Sequence, residues 1–275
     1  MNNSPLITLI TDWGYKDFYC GKFLGKLYSA IPNARIVEIT HGIDKFKTED
    51  AAFVARNSCF DFPPETIHII DVASNMSNVI VKSADQYFIC SDNNVSALIF
   101  SDKKAEFYSL NALNNNYTSF TFVAASIFID VIKKIADKVP LNVIGTQIDS
   151  LKNKQHYSQT PVFGNPIECI ILYFDDYGNA ILNLTKEEFD KITQNKDFSI
   201  SISPTDKITS VSPTYNKDIV KRDDVSKPLL SVSSSGYMAL SLPNASYKEL
   251  IFGNNLIPSM IEYTIRIKLT DKSKT

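Results

Sequence analysis

Two aspartates stand where an open α/β sheet does its chemistry. Asp12 directly follows the apolar run Leu6-Ile7-Thr8-Leu9-Ile10, inside Thr11-Asp12-Trp13-Gly14, and Asp71 ends Thr66-Ile67-His68-Ile69-Ile70. In open parallel sheets, ligands settle in the crevice beyond the carboxyl ends of the strands. A carboxylate there suits a ribose, because its two oxygens match the two hydroxyls of the diol. Either aspartate taken alone also fits a turn-forming or helix-capping residue. A third cluster, Phe174-Asp175-Asp176-Tyr177-Gly178-Asn179, sets two acids beside Gly-Asn after another apolar run. It reads equally as a hairpin turn, since Asn and Gly tolerate left-handed backbone. Ser233-Ser234-Ser235-Gly236-Tyr237 is a second polar turn of the same double meaning. With three histidines and no Cys-x-x-Cys pair a zinc site is not expected; no other metal and no cofactor are expected.

The elements that must carry these residues change character along the chain. Residues 1–150 alternate strand-like runs with helical stretches. Leu6–Ile10, Arg35–Thr40, Thr66–Asp71, Gln86–Cys90 and Glu106–Leu110 read as strands. Asp17–Ala30, Thr48–Asn57 and Val123–Asp137 read as helices, the first with Phe18, Leu24, Leu27 and Tyr28 on its buried side. Gly21 and Gly25, one turn apart, suggest close packing on the sheet or room for a ligand. This alternation predicts a Rossmann-like α/β domain with a mostly parallel sheet. Residues 151–165 are polar and turn-rich and read as a linker. From 166 to 275 short strand candidates dominate: Ile167–Phe174, Ala180–Leu184, Phe198–Ser203, Lys207–Val211, Leu229–Val232, Tyr237–Leu242 and Glu262–Lys268. One helical stretch, Lys186–Thr193, interrupts them. That spacing predicts an antiparallel β-barrel or sandwich as a second domain.

Composition narrows the class. Lys and Arg number 28 against 30 Asp and Glu, a net charge of −2, so neither nucleic acid nor a membrane is expected as partner. Apolar runs of about six residues fall short of a membrane span. The first residues carry no basic segment followed by an apolar stretch, so a cytoplasmic location is expected. Cys20, Cys59, Cys90 and Cys169 are scattered and read as reduced core thiols.

Taken in order, these segments resemble one known family, the S-adenosylmethionine hydroxide adenosyltransferases (S-adenosylmethionine hydrolases) together with the adenosyl-fluoride and adenosyl-chloride synthases. Thr8–Gly14 with Asp17 and Gly21 to Gly25 looks like the family's opening, a strand, Thr-Asp-Phe-Gly, an Asp and a glycine-containing helix. Ile31–His41 is similar to its Pro-x-Ala-x-Ile-Val-Asp-Ile-Thr-His. Phe62–Asp71 and Ser91-Asp92-Asn93-Asn94 match the next two segments. Asp175–Asn179 with Asn183, and Ser234-Ser235-Gly236-Tyr237, resemble the late ones. The matches are collinear across both predicted domains.

The resemblance implies a ligand and an assembly. In the family, S-adenosylmethionine lies between the first domain of one subunit and the second domain of its neighbour in a homotrimer. Carried over by position, Asp12 holds the ribose diol, Asp17 the methionine end, and Phe46 lies over the ribose. Ser74 and Phe122 fall among the substrate-contacting positions. Asp175 and Ser234 reach the amino-acid part, Asn179 faces the adenine, and backbone near Ala245 reaches its edge.

The pattern also breaks. Relatives that use water resemble one another in an Asp ending the third strand, an Arg shortly after it, and a His in Phe-His-Gly-Arg-Asp opening the last helix of the first domain. Asp71 supplies the first. The stretch Val72–Asn78 contains no Arg, Val123 stands at the His position and Ala125 at the second Arg. Halide-using relatives resemble one another in having Tyr at the Asp71 position, and an Asp repels a halide, so halogenation is not expected. Displacing a neutral thioether needs no general acid; aligning and desolvating the nucleophile suffices. Asp71 therefore remains as the catalytic base, with Ser74 or Ser126 as hydrogen-bond partner and apolar neighbours raising its pKa. The expected activity is slow hydrolysis of S-adenosylmethionine to adenosine and methionine. A catalytically silent protein binding S-adenosylmethionine or adenosine, or adenosyl transfer to another nucleophile, stays open.

Overall fold

The computed structural model describes residues 4–74, 77–110, 122, 124–152, 160–194, 196–202, 206–213, 227–253 and 264–271. The chain divides into two compact units, Met1–Tyr157 and Ser158–Thr275.

The first unit is a seven-stranded sheet covered by helices on both faces. Its strands are β1 (Leu6–Thr11), β2 (Arg35–Thr40), β3 (Ile67–Asp71), β4 (Asn78–Ser83), β5 (Gln86–Ser91), β6 (Glu106–Ser109) and β7 (Thr146–Ile148), ordered β2-β1-β3-β5-β4-β6-β7. The pairings among β2, β1, β3 and β5 are parallel; those of β4 with β5 and β6, and of β6 with β7, are antiparallel. The sheet is thus mixed rather than mostly parallel. Of the two unanticipated strands, β4 and β7, β4 turns into β5 through Ala84-Asp85, both at positive φ (51° and 57°), as a two-residue hairpin of this twist requires. Ala-Asp carries none of the Asn-Gly signal that usually marks such a turn.

Strands β1 and β3 are buried on both faces, which is why their β-branched runs show no polar alternation. Ile7 and Leu9 with Ile67 and Ile69 pack against α1 (Tyr19–Ala30) and α4 (Ile129–Ala136) through Phe23, Leu27, Phe128 and Val131. Ile10 and Ile70, pointing the other way, pack against α2 (Thr48–Arg56) and α3 (Asn94–Phe100) through Ala51, Ala52, Ala55, Leu98 and Ile99. The short α5 (Leu141–Ile144) precedes β7, and one π turn, Ala124–Phe128, leads into α4.

Helix α1 corrects two expectations. It begins at Tyr19, and its buried side is Cys20, Phe23 and Leu27, leaving Phe18 and Tyr28 exposed. Gly21 and Gly25 lie on the exposed side, where an added Cβ would meet nothing within 4 Å. Sheet packing therefore does not explain them. All four cysteines are free and buried.

The second unit is all antiparallel among its named strands. In chain order β8 (Ile167–Phe174), β9 (Ala180–Thr185), β10 (Lys196–Ser201), β11 (Lys207–Ile208), β12 (Leu229–Val232), β13 (Tyr237–Ser241) and β14 (Thr264–Asp271) form the order β11-β10-β14-β8-β9-β13-β12. A bridge from Val211 to Leu230 brings the two edges together, so the sheet is nearly closed into a barrel. Helix α6 (Lys186–Thr193) starts on a capping box in which Thr185 and Glu188 each satisfy the other's backbone amide. Helix α7 (Tyr247–Phe252) starts on the Ser246 hydroxyl. Among the described residues of both units, no helix is long and apolar enough to cross a membrane.

Candidate functional site

Register places the two aspartates. β1 and β3 pair in parallel with Thr11 opposite Asp71, so Asp71 and the next residue of β1, Asp12, both emerge at the carboxyl ends of adjacent strands. Asp12 Oδ2 accepts the backbone amides of Phe46 at 3.0 Å and Ala73 at 3.4 Å. Both donors are non-glycine residues in left-handed backbone, φ 66° and 49°. Such backbone costs about 1–3 kcal/mol and persists only where surroundings enforce it. Among the described residues Oδ1 of Asp12 accepts no hydrogen bond, while Lys45 Nζ donates to the Asp12 carbonyl. The Phe46 side chain is 75% exposed.

Asp71 is only 3% exposed. Its Oδ2 accepts the Trp13 indole Nε1–H at 2.8 Å, and its Oδ1 accepts the Ser74 hydroxyl. Burial pushes its carboxyl up to about 6, against the opposing pull of the Ser74 and Trp13 hydrogen bonds, with a smaller push from the Asp12 charge. Of the two serines that the sequence offered as partners, Ser74 is the one that bonds Asp71; Trp13 is the unexpected second donor, and desolvation outweighs both.

Trp13 was the residue that motif reading passed over. Its ring stacks on His41 at 5.6 Å and meets Phe23 at 5.2 Å and Phe122 edge-on at 5.0 Å. A signal existed: it is the single Trp of the chain, one residue past a strand-end aspartate. His41 bonds Thr11 Oγ1 through Nδ1 at 2.7 Å, and His68 bonds Thr8 Oγ1 likewise at 2.7 Å. Burial lowers both imidazoles, His68 to about 4, while the Glu38 carboxylate 3.1 Å from His41 Nε2 pulls the other way on His41; both rings are packed in the core. Asp92, buried one residue past β5, accepts the Lys152 amide. Asn93 caps α3 and donates to the carbonyls of Val72 and Ala73, supporting the loop after Asp71.

The other positions are distributed as follows. Asp17 lies exposed just before α1. Phe122 is half-buried against Trp13 and Tyr19. Ala125 is buried, and its carbonyl accepts Lys26 Nζ at 3.0 Å. The Ser126 hydroxyl donates to the Phe122 carbonyl at 3.3 Å. Val123, Asn75 and Met76 lie outside the described residues.

In the second unit, Asp175 organises its own turn. Its Oδ1 accepts the amides of Tyr177 at 3.1 Å and Asn179 at 2.9 Å, and its Oδ2 accepts Asn179 Nδ2 at 2.8 Å. Asn179 Oδ1 is buried without a partner among the described residues. Gly178, at φ 77°, packs on Ser246, so this turn sits beside Ala245. Ser234 belongs to the separate turn before β13, closed by Gly236 N–H to the Ser233 carbonyl at 3.0 Å. The described residues contain no cluster of three metal-binding side chains.

Comparison with known proteins decides what this arrangement belongs to. Residues 7–145 match the SAM hydroxide adenosyltransferase N-terminal domain, and residues 169–252 match the C-terminal domain. This chain belongs to the SAM hydroxide adenosyltransferase family. It is 22% identical over 191 residues to the (R)-S-adenosyl-L-methionine hydrolase of Methanocaldococcus jannaschii, covering 66% of this chain and 68% of that one. The crystal structure of an uncharacterized conserved protein from Thermotoga maritima superposes with a TM-score of 0.77 at 22% identity, over 96% of this chain and all (100%) of that one. That of a conserved hypothetical protein from Thermus thermophilus gives 0.68 at 15% identity, over 98% of this chain and 100% of that one. The family's two domain types thus fall on the α/β unit and the barrel-like unit. Within the family fold, Asp12 and Asp71 stand at the carboxyl ends of adjacent strands of the sheet.

Proposed function

We propose that this chain hydrolyses S-adenosylmethionine slowly to adenosine and L-methionine. The observation that carries the reading is the pair at the crevice: Asp12 with one carboxylate oxygen uncommitted, and Asp71 buried beside it with a carboxyl raised to about 6. Family membership and the name of the Methanocaldococcus relative support the same chemistry. In this reading Asp12 accepts the ribose diol, and Phe46 and Phe122 supply apolar surface around the sugar. A water oxygen attacks C5′ as the C–S bond breaks, and the bonding pair leaves on sulfur as neutral thioether. Asp71 takes the water proton and returns it to solvent. A carboxylate of this pKa is mostly ionised at neutral pH and still basic enough to serve; general bases contribute about 10²–10⁴-fold.

Asp17 then meets the methionine end, Asp175 and Ser234 the amino-acid part, and Asn179 and the Ala245 backbone the adenine, in a cytoplasmic homotrimer with the site at the subunit boundary. A solution mass of a single chain would overturn the assembly. The activity is tested by incubating pure protein with S-adenosylmethionine and following adenosine by chromatography, using both sulfonium epimers since the relative's name specifies the R form. Release above the spontaneous rate supports hydrolysis. Tight binding with no release replaces it by the silent binding protein, a reading that the Ala125 methyl group favours.

A further inference from the structure

Asp71 holds its charge with neutral donors alone. Trp13 Nε1–H reaches Oδ2 at 2.8 Å, the Ser74 hydroxyl reaches Oδ1, and among the described residues no Lys, Arg or His pairs with it. The other ionisable groups that face it are Asp12 beyond β1 and the Cys90 thiol on β5, and neither is cationic. The indole itself has little freedom. Trp13 is 9% exposed, wedged between His41, Phe23 and Phe122, and its own amide bonds Thr11 Oγ1 at 3.3 Å. His41 behind it lies 3.1 Å from the Glu38 carboxylate through Nε2, and burial lowers its pKa against the pull of that charge.

We propose that Trp13 is the positioning residue for Asp71, a neutral donor that fixes the direction of the carboxylate while leaving its negative charge uncompensated. A guanidinium would aim the same oxygen and offset its charge; an indole N–H aims it and adds no charge. The buried carboxylate then keeps its remaining lone pairs for a water proton and its charge for a cationic substrate. This role rests on Asp71 acting as the base proposed above.

The chain has one Trp, so its indole N–H gives one resonance and reports on Asp71 directly. The experiment follows that resonance by nitrogen–proton correlation from pH 4.5 to 8 in wild type and Asp71→Asn, and compares pH–rate profiles of wild type and Trp13→Phe. Coupling requires a shift with midpoint near 6 in wild type that is lost in Asp71→Asn. A resonance that stays still, or moves equally in both, overturns it. Losing one hydrogen bond to a charged group raises the Asp71 pKa, so in Trp13→Phe the acid limb of the rate should move up by about one pH unit with KM little changed. Superimposable limbs overturn the positioning role. The indole titration needs only wild type and Asp71→Asn, so a Trp13→Phe chain that fails to fold leaves that arm decisive. An inactive wild type whose indole follows Asp71 overturns hydrolysis alone, and the coupling stands.

Discussion

The carboxylate of Asp12 holds the backbone amide of Phe46 at 3.0 Å, with Phe46 in left-handed backbone at φ 66°. The same oxygen reaches the Ala73 amide at 3.4 Å, so one side chain ties together the loops that follow β1, β2 and β3. Asp12 is thus both a candidate ligand group and the organiser of the crevice rim.

Replacing it separates these roles. Asp12→Ala should weaken adenosine binding by roughly tenfold to a hundredfold, the worth of a charge-assisted hydrogen bond. Asp12→Asn keeps an acceptor for Phe46 and should retain slow amide exchange at residues 46 and 73 while still losing affinity. Calorimetry showing wild-type affinity for adenosine in Asp12→Ala would remove Asp12 from the ribose.

Asp71 should trade stability for reactivity. Burial raises its folded-state pKa to about 6 from an ordinary 3.8, so the folded chain binds the proton more tightly than the unfolded chain. Stability from this group is therefore full below about pH 4 and is lost as pH rises through 6. Asp71→Asn, able to accept from Trp13 and donate to Ser74, should stabilise the protein at pH 8 by about 1–3 kcal/mol. The gain should vanish at pH 4. Denaturant melts showing equal differences at both pH values would contradict this, and the same variant should cut adenosine release at least about tenfold.

Charge also predicts a difference between ligands. S-adenosylmethionine carries a sulfonium and adenosine is neutral, so ionising Asp71 should favour only the former. Affinity for S-adenosylmethionine should rise about three- to tenfold between pH 5 and 7, while that for adenosine stays flat; a charge interaction of about 1 kcal/mol suffices. Parallel pH profiles for the two ligands, or a persisting slope in Asp71→Asn, would count against a charged Asp71 facing the sulfonium.

In the second unit, Gly178 admits no side chain. A Cβ there would lie 2.1 Å from Ser246 Oγ and 2.7 Å from its Cβ, on backbone at φ 77°. Gly178→Ala should cost at least about 2 kcal/mol. It should also loosen the Asp175–Asn179 turn, which thermal melts and amide exchange at Tyr177 and Asn179 would register. A melting curve unchanged from wild type would show that this turn yields.

Much of this was legible in one dimension. The runs before Asp12 and Asp71 are apolar and β-branched because both faces of β1 and β3 are buried, and that pattern alone puts a carboxylate at the end of each strand. The alternation of helices and strands, and then the spacing of short strands, identified an α/β unit followed by a barrel-like one. Local chemistry suffices for these statements, since propensity and burial period are properties of neighbouring residues. The tertiary structure decided what depends on residues far apart. Strand register set Thr11 against Asp71. The Ala84-Asp85 turn folded β4 back onto β5 and made the sheet mixed. Helix phase turned Gly21 and Gly25 outward once α1 buried Cys20, Phe23 and Leu27. Above all, the second partner of Asp71, beside the nearby Ser74, proved to be Trp13, 58 residues away. A hydrogen bond from the loop after one strand to the end of its neighbour has no sequence spacing to betray it, and the indole is held for it by packing among Phe23, His41 and Phe122.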